Sequence, residues 1–381
     1  MIMATDNKDK VLNVPNLRFP EFCEEWMRCT LGDITENFSR RNKEEILYPM
    51  FSVTNNKGFI PQSEQFEDRE MIGEDIKAYK IIHKDDFAYN PARINVGSIA
   101  KYNEENPCMI SSLYVCFKTN PKIDNDWMMQ LLKTPKMNFY YNINGEGGVR
   151  IYLFYPNFAR IKTSYPTLKE QQKISSFLTL LDERISTQNK IIEDLKKLKV
   201  AIRDKAIALG IKKSAFNTLD SIADIYQPQT IPTSLLSEDA EYFVYGANGI
   251  IGKYTEYNHS EPQICIACRG NTCGTINFST AKSWITGNAM VVNTDQYSVI
   301  NKRYLYHYLS TINFNPLISG SGQPQIVRQP LAKLKIPTPS IEQQVGIVKV
   351  IDSFELKIEI EKKYLQSLLT QKVYLLSNMF I

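Results

Sequence analysis

Two stretches of the chain place apolar residues at alternating spacings of four and three. The first series comprises Ile174, Leu178, Leu181, Ile185, Gln188, Ile192, Leu195, Lys199, Ile202 and Ala206. The second comprises Ile347, Ile351, Phe354, Ile358, Glu361, Leu365, Leu368, Lys372, Leu375 and Met379, each 173 residues after its counterpart. Such spacing is typical of the seam of a coiled coil, so the pattern predicts two helices of about 60 Å each.

A single helix of this kind would expose its apolar stripe to water. We therefore expect the two helices to pair through the apolar members of both series, which are Ile174, Leu178, Leu181, Ile185, Ile192, Leu195, Ile202, Ile347, Ile351, Phe354, Ile358, Leu365, Leu368 and Leu375. The polar members at matching positions, such as Lys199 and Lys372, are expected to help fix the register. The alternative is that each helix belongs to the core of a separate domain.

The start of each predicted helix carries the same short motif. Residues 166–172 and 337–344 both contain a proline followed by Glu-Gln-Gln, with one extra residue in the second copy between Pro337 and Glu342. Self-similarity at a fixed interval is the signature of an internal repeat. The chain is therefore interpreted as two copies of a globular domain followed by a long helix.

The globular copies also resemble each other in their loops. Residues 92–99 are similar to residues 268–276, a match that aligns Arg93 with Arg269. Likewise, residues 147–150 correspond to residues 322–325. The order of features is kept while most residues differ, so we expect a shared architecture with different surface chemistry.

Within each copy, short runs of β-branched and aromatic residues are bounded by Gly, Asn and Pro, a pattern that favours strands, and helical stretches intervene. We expect a mixed α/β (α+β) fold in which two globular domains with twisted sheets are each followed by a long helix. The predicted boundaries are residues 1–168 and 214–336 for the domains, and 169–213 and 337–381 for the helices.

The net positive charge of the chain is concentrated in one segment. The 381 residues carry a formal net charge of +4, whereas residues 169–213 alone carry 11 Lys and Arg against 6 Asp and Glu. No apolar run approaches the ~20 residues needed to cross a bilayer, and the first ten residues have no apolar core typical of a signal peptide. These features, with only seven cysteines, favour a soluble cytoplasmic protein without a disulfide framework.

Motifs for catalysis are absent from the sequence. It has no phosphate-binding glycine loop of the P-loop type and no dinucleotide fingerprint, and its three histidines occupy unrelated contexts. The best metal or thiol candidate is the group Cys265, Cys268 and Cys273, but zinc normally requires four ligands and no second Cys/His pair follows. We therefore predict no catalytic residue, no metal site and no cofactor bound by this chain, and interpret these cysteines as strand residues.

Polar and basic residues punctuate glycine-rich loops in both copies. In the first copy they are Asn55, Asn56, Lys57, Arg93, Asn95, Lys101 and Arg150, and in the second they are Asn248, Lys253, Arg269, Asn271, Gln323, Gln325 and Arg328. Arginine reads guanine edges, Asn and Gln read adenine, and lysine holds phosphates. Any one of these residues could be an ordinary surface side chain, but corresponding loops in both copies make DNA contact plausible for the group.

The opening of the chain and its two helix starts resemble the specificity subunits of type I restriction–modification systems. The resemblance rests on residues 15–22, Trp26 and residues 31–34, together with the Pro…Glu-Gln elements at 166–172 and 337–344. It implies two target-recognition domains separated by an antiparallel helix pair. Each domain would read one half of a bipartite double-stranded DNA target.

The resemblance also implies the partners of the chain. The helices would set the spacing of the half-sites and dock two modification subunits, which bind S-adenosylmethionine and methylate adenine. A restriction subunit with ATP- and magnesium-dependent translocase and nuclease activity joins them in some systems, and no membrane is involved. Because the loops of the two copies differ, we expect an asymmetric target.

Two other functions are compatible with the residues alone. The first is a protein scaffold that uses two binding domains and paired helices. The second is an enzyme built on Cys265, Cys268 and Cys273, which serine substitution would reveal through loss of metal or activity. DNA binding in the presence of an adenine methyltransferase would separate the scaffold from a DNA-recognition subunit.

Overall fold

The computed structural model describes residues 2–3, 12–65, 76–148, 150–212, 214–320 and 322–381. The chain forms two compact units, one of Met1–Asn189 with Lys363–Ile381 and one of Lys190–Lys362. Both long helices contribute to both units, so these units do not follow the four segments predicted from the sequence, which remain a prediction.

The first unit contains twelve described strands and five described short helices before the first long helix. The strands are β1 (Ile2–Met3), β2 (Leu17–Arg18), β3 (Met27–Thr30), β4 (Thr35–Phe38), β5 (Phe51–Thr54), β6 (Gly58–Pro61), β7 (Lys80–Ile82), β8 (Phe87–Tyr89), β9 (Ile99–Lys101), β10 (Cys108–Ile110), β11 (Val115–Thr119) and β12 (Lys162–Tyr165). The helices are α1 (Leu31–Ile34), α2 (Gln62–Gln65), α3 (Asn125–Leu132), α4 (Pro135–Asn144), α5 (Tyr155–Ala159) and the long α6 (Leu168–Ile211), with 3-10 turns at Ile76–Ala78 and Ile94–Val96.

A four-stranded antiparallel sheet in the order β4-β11-β8-β9 organises the first unit. Strands β3 and β12 form a separate antiparallel pair directly before α6. The core between the sheet and the helices is aromatic, with Phe87, Phe117, Trp127 and Phe158 fully buried. Burial of such large rings stabilises the unit by roughly 2–3 kcal/mol for each side chain.

The second unit contains eleven described strands. They are β13 (Ala215–Thr218), β14 (Asp224–Tyr226), β15 (Tyr242–Gly246), β16 (Gly249–Tyr254), β17 (Ile264–Ala267), β18 (Ile276–Phe278), β19 (Trp284–Ile285), β20 (Ala289–Asn293), β21 (Ile318–Ser319), β22 (Gln325–Ile326) and β23 (Lys335–Thr338). Its helices are α7 (Lys302–Leu309), α8 (Arg328–Ala332) and the long α9 (Ile341–Asn378), with 3-10 turns at Leu219–Ser221, Thr233–Leu235 and Asn315–Leu317.

The second unit repeats the topology of the first. Its four-stranded antiparallel sheet has the order β14-β20-β17-β18, and β13 pairs with β23 directly before α9. The core again lies under the helix that follows the sheet, here around Tyr304 and Leu305 of α7. The predicted fold, two mixed domains each followed by a long helix, is confirmed.

The long helices bury the predicted seam. Every member of the two heptad series is buried or half-buried, including Leu178, Ile192 and Ile351, while most residues between them are exposed. In the first unit Asp182 of α6 binds Lys372 of α9, and Arg184 lies over the ring of Tyr364. Residue numbers rise along α6 as they fall along α9, so the helices pair in antiparallel orientation.

The pairing in the second unit has the same direction and the same kind of ion pair. Lys199 Nζ of α6 lies 3.2 Å from Glu355 Oε1 of α9, and an added Cβ at Gly210 would lie 3.0 Å from Ile347 Cδ1. Lys199 and Lys372 are the lysines that interrupt both apolar series at the same place. Each binds an acidic residue of the facing helix. The role of these lysines in fixing the register stays a prediction.

A buried glutamine ties each long helix to its domain. Gln171 Oε1 accepts from Asp124 N, and its Nε2 donates to Lys122 O and Pro166 O, at 2.8–3.1 Å. Asp124 is the residue directly before α3, and its side chain caps the first turn of that helix. The amide therefore satisfies three backbone groups that would otherwise be buried without partners.

Gln344 makes the same three bonds in the second unit. Its Oε1 accepts from Asn301 N at the start of α7, and its Nε2 donates to Val299 O and Pro339 O. Pro339 is therefore the counterpart of Pro166, and the pairing of Pro166 with Pro337 is wrong. The proline and the buried glutamine are five residues apart in both copies, so nothing is inserted between them. The shared Glu-Gln-Gln letters are displaced by one residue, whereas the equivalent glutamines keep the same offset as the apolar series.

None of the helices in the described ranges combines the length and apolar character that a membrane span requires.

Candidate nucleic-acid interface

Three loops of the first unit lie next to one another. Gly97, in the loop between β8 and β9, has φ +100°, and a Cβ added there would lie 3.0 Å from the backbone oxygen of Asn55 in the β5–β6 turn. Ser98 Oγ donates to Val53 O at 2.7 Å. On the other side of the loop, Leu153 N donates to Pro91 O at 2.9 Å. The turn, the loop and the segment around Leu153 therefore form one surface.

This surface brings together most of the residues predicted for the first copy. Arg93, Asn95 and Arg150 line one groove of about 640 Å³, and Asn95 Nδ2 donates to Asn142 Oδ1 at 3.0 Å. The exposed residues of the β5–β6 turn, Asn55, Asn56 and Lys57, line a neighbouring pocket. The two guanidinium groups beside loop amides suit guanine edges or phosphates.

Lys101 lies in that neighbouring pocket but is held in ion pairs. Its side chain is only 13% exposed, and its Nζ lies 2.6 Å from Asp126 Oδ1 and 3.5 Å from Asp85 Oδ1. Two carboxylates therefore neutralise the charge on which the prediction depended. Nothing in the local sequence around Lys101 indicated this, because both acids come from other segments.

The second unit joins its corresponding loops in the same way. Gly270 N donates to Pro324 O at 2.9 Å, and Ile326 N donates to Cys268 O at 3.1 Å. These bonds place four exposed residues of the prediction on two adjacent segments, namely Arg269, Asn271, Gln323 and Gln325.

The remaining predicted residues of the second copy have other surroundings. Arg328 Nε donates to Ile225 O at 2.8 Å, so this arginine holds the start of α8 against β14. Lys253 lies over the ring of Phe243 within the β15–β16 hairpin. Asn248 is exposed at the turn of that hairpin, as Asn55 is in the first unit.

The backbone bonds correct the predicted alignment of the loops. Pro91 and Cys268 accept equivalent bonds, so the counterpart of Arg269 is Ala92 and not Arg93. The predicted match between residues 147–150 and residues 322–325 is also shifted. Gly147 and Gly320 both have positive φ, and a Cβ on either would collide with the carbonyl oxygen three residues later. Arg150 therefore corresponds to Gln323, and residues 147–150 to residues 320–323.

Two exposed aromatic residues of the first unit lie beside the predicted loop residues and were not among those predicted from the sequence. Tyr152 and Phe154 are 38% and 48% exposed, and both follow the groove residue Ile151. A faint signal was available, because Tyr152 and Phe154 alternate with the buried Leu153 as the residues of an extended segment do.

Of the three candidate cysteines, Cys265 lies on β17 and Cys268 directly after it, and both are buried in the core. Cys273 is half-buried in the turn before β18, so its interpretation as a strand residue is wrong. Cys265 and Cys268 are each 1% exposed, and burial raises the pKa of the Cys265 thiol to about 12. A thiol with so high a pKa is protonated at neutral pH and is a poor nucleophile or metal ligand. Within the described residues, no group of three His, Cys, Asp or Glu side chains could hold a metal ion.

Two of the histidines are buried and hydrogen-bonded. His259 Nε2 lies 2.9 Å from Tyr226 OH, and His307 Nε2 lies 3.0 Å from Asp352 Oδ1. Burial lowers the pKa of both imidazoles. Each acts as a structural link between secondary-structure elements of the second unit.

Comparison with known proteins identifies the family. The type I restriction modification DNA specificity domain matches residues 23–197 and again residues 212–370. The chain belongs to this family. Its two matched regions correspond to the two copies found in the sequence and in the topology.

Curated relatives are specificity subunits. A putative type I specificity subunit from Methanocaldococcus jannaschii is 24% identical over 92% of this chain and 92% of its own length. A putative one from Haemophilus influenzae is 31% identical over 35% of this chain, and the EcoprrI specificity subunit from Escherichia coli is 30% identical over 32%. The matches cover only 36% and 31% of the length of these last two relatives.

Solved structures share the fold. The specificity subunit from M. genitalium has a TM-score of 0.61 at 16% identity and covers 97% of this chain and 99% of that chain. A chain from a study of type I system assembly and conformational transition also has a TM-score of 0.61, at 14% identity, and covers 93% of this chain and 97% of that chain. Two recognition domains with long helices are therefore the architecture of this chain.

Proposed function

We propose that this chain is the sequence-specific DNA-recognition subunit of a type I restriction–modification complex, in which each recognition domain reads one half of a bipartite target. The observation that carries the proposal is the equivalent arrangement of loops in both units with different exposed side chains. Arg150 of the first unit corresponds to Gln323 of the second, and Ala92 corresponds to Arg269. Because arginine and glutamine favour guanine and adenine, the half-sites differ and the target is asymmetric.

The helices set the spacing of the half-sites and dock two modification subunits. Their buried seam leaves large apolar side chains exposed on other faces, with Leu180 65%, Leu209 59% and Leu356 61% exposed. These side chains are proposed to contribute to the contacts with the modification subunits. Mass measurement of the purified complex should give two modification subunits for each copy of this chain.

Catalysis resides in the partners. The modification subunits bind S-adenosylmethionine, and the assembled complex is an adenine-N6 DNA methyltransferase and, with restriction subunits, an ATP-dependent endonuclease. The chain itself binds and orients DNA and contributes no reacting group. It acts as a non-catalytic specificity subunit.

The recognition domains depend on partners for affinity. Residues 1–168 carry 21 Lys and Arg against 22 Asp and Glu, and residues 214–336 carry 8 against 8. Domains without net positive charge release few counterions when they bind DNA, so the modification subunits supply the phosphate contacts that enclose the duplex. Tight, specific and strongly salt-dependent binding by the chain alone would contradict this part of the proposal.

The decisive experiment is a genome-wide map of adenine methylation in source cells with and without this chain. Loss of one bipartite, asymmetric motif is the expected result, and it delivers the target sequence. Loss of a palindromic motif contradicts the two-domain interpretation. An unchanged map, in cells shown to express active modification subunits, favours the protein-scaffold alternative.

A further inference from the structure

An exposed pair of stacked aromatic rings lies beside the groove of the first unit. The ring centroids of Tyr152 and Phe154 are 6.2 Å apart with an angle of 13° between their planes. Leu153 between them is fully buried, so both rings lie on the outer side of the extended segment. Exposed rings of this size lose contact with water only when a partner covers them.

The backbone holds this pair in place. Glu146 and Tyr152 exchange backbone hydrogen bonds of 2.8 and 2.9 Å, and Leu153 N is bound to Pro91 O of the groove loop. A Cβ at Gly147 would lie 4.0 Å from Cδ2 of the tyrosine ring. Phe154 is followed directly by α5, whose Phe158 is buried in the core. A rigid platform of this kind requires little ordering when it binds.

The position of the pair is equivalent to a predicted reading position of the second unit. Leu153 and Ile326 both donate to the first loop, at Pro91 O and Cys268 O. Tyr152 therefore corresponds to Gln325, and Phe154 corresponds to Val327. Gln325 and Val327 are both exposed. Arg150 and Ile151, which line the groove together with Arg93, directly precede the pair in the chain.

We propose that Tyr152 and Phe154 are specificity residues that contact the 5-methyl group of a thymine in the half-site read by the first unit. This inference rests on the proposed function. A rigid apolar platform that directly follows the groove residues Arg150 and Ile151 fits a base edge that offers a methyl group next to hydrogen-bond acceptors. The thymine methyl is the apolar group that the major groove presents, and aromatic side chains contact it. The second unit has Gln325 and Val327 at the same positions and therefore offers no aromatic platform there.

The test uses the full chain in complex with its modification subunits and duplexes of the mapped target. Each thymine of the first half-site is replaced, one at a time, by deoxyuridine, which lacks only the methyl group. At one thymine we expect about fourfold weaker binding, the loss expected for one buried methyl group. The double variant with Tyr152→Gln and Phe154→Val should bind thymine and deoxyuridine duplexes equally at that position.

This double variant carries the side chains that the second unit accommodates at the same backbone positions, so it is expected to fold. Phe216→Ala, which removes an exposed ring from β13, is the matched control and should keep the preference for thymine. Deoxyuridine in the second half-site should have no effect that depends on Tyr152 or Phe154.

Three results would overturn the inference while the proposed function stands. They are a first half-site without an A·T pair, no sensitivity to deoxyuridine at any position, and a sensitivity that persists in the double variant. A chain that directs no bipartite methylation would instead contradict the proposed function itself. The two failures are therefore distinguishable.

Discussion

In both units a buried glutamine makes the same three hydrogen bonds to equivalent backbone atoms, whereas the exposed loops carry different side chains. Gln171 and Gln344 are each fully buried, and their partners correspond one to one. In contrast, Arg150 and Tyr152 of the first unit correspond to Gln323 and Gln325 of the second.

The difference has a physical cause. A buried polar group must find its partners or pay the cost of desolvation, which restricts what can replace it. An exposed loop residue is solvated whatever its identity, so it can change without loss of stability. The comparison therefore separates the residues that hold a recognition domain together from those that we propose read DNA.

The largest expected effect concerns the glutamines. Gln171→Ala and Gln344→Ala should each lower the free energy of unfolding by about 3 kcal/mol, because three backbone groups lose a partner in a buried site. Denaturant unfolding of the full chain measures this. Gln172→Ala, at an exposed neighbouring position, should change stability by less than about 0.5 kcal/mol. A large loss for one glutamine and none for the other would show that Gln171 and Gln344 do not have equivalent roles in the two units.

The next effect concerns the loops. Arg150→Ala and Gln323→Ala should each weaken binding by the assembled complex by about 1–3 kcal/mol and relax base preference at one position. Because these residues occupy equivalent positions, the changes should fall in different halves of the target. Methylation maps of the two variants would reveal this, and a change in the same half for both would contradict the assignment.

A smaller effect is expected from the interhelical ion pairs. Lys199→Met and Lys372→Met should each cost about 0.5 kcal/mol, since the pairs are partly exposed and screened by salt. Unfolding at low and high salt measures the contribution. Exchange of the charges in Asp182→Lys with Lys372→Asp should restore much of the loss, and failure of this exchange would argue against a role in register.

The smallest effect is a pH dependence confined to the second unit. His307 in α7 corresponds to Gln130 in α3, which donates to Asp182 and does not titrate. Burial lowers the pKa of His307 even though the carboxylate of Asp352 opposes the shift. The unfolded chain therefore binds a proton more readily, and the second unit should lose stability as pH falls from about 6.5 through the lowered pKa. His259 of the same unit contributes a loss of the same sign, because burial lowers its pKa too. His307→Gln should therefore reduce the loss without abolishing it, and unfolding midpoints between pH 7.5 and 5 would test it.

Much of the fold could be predicted because its signals are local. A heptad series needs no knowledge of the partner, and the lysines at Lys199 and Lys372 stood out by position alone. The exposed residues of the β5–β6 turn were also identified by composition. In contrast, the ion pairs of Lys101 come from Asp85 and Asp126, and neither is adjacent in sequence to it.

The sequence by itself determined the two long helices, the internal repeat and the family, because periodicity and motif order are carried along the chain. Only the tertiary structure decided the register of the recognition loops. That register depends on hydrogen bonds between distant segments, such as Leu153 N to Pro91 O and Ile326 N to Cys268 O. Backbone bonds of this kind leave no trace in side-chain identity. They alone show that Tyr152 and Gln325 occupy equivalent positions in the two units, and that Ala92 and Arg269 do.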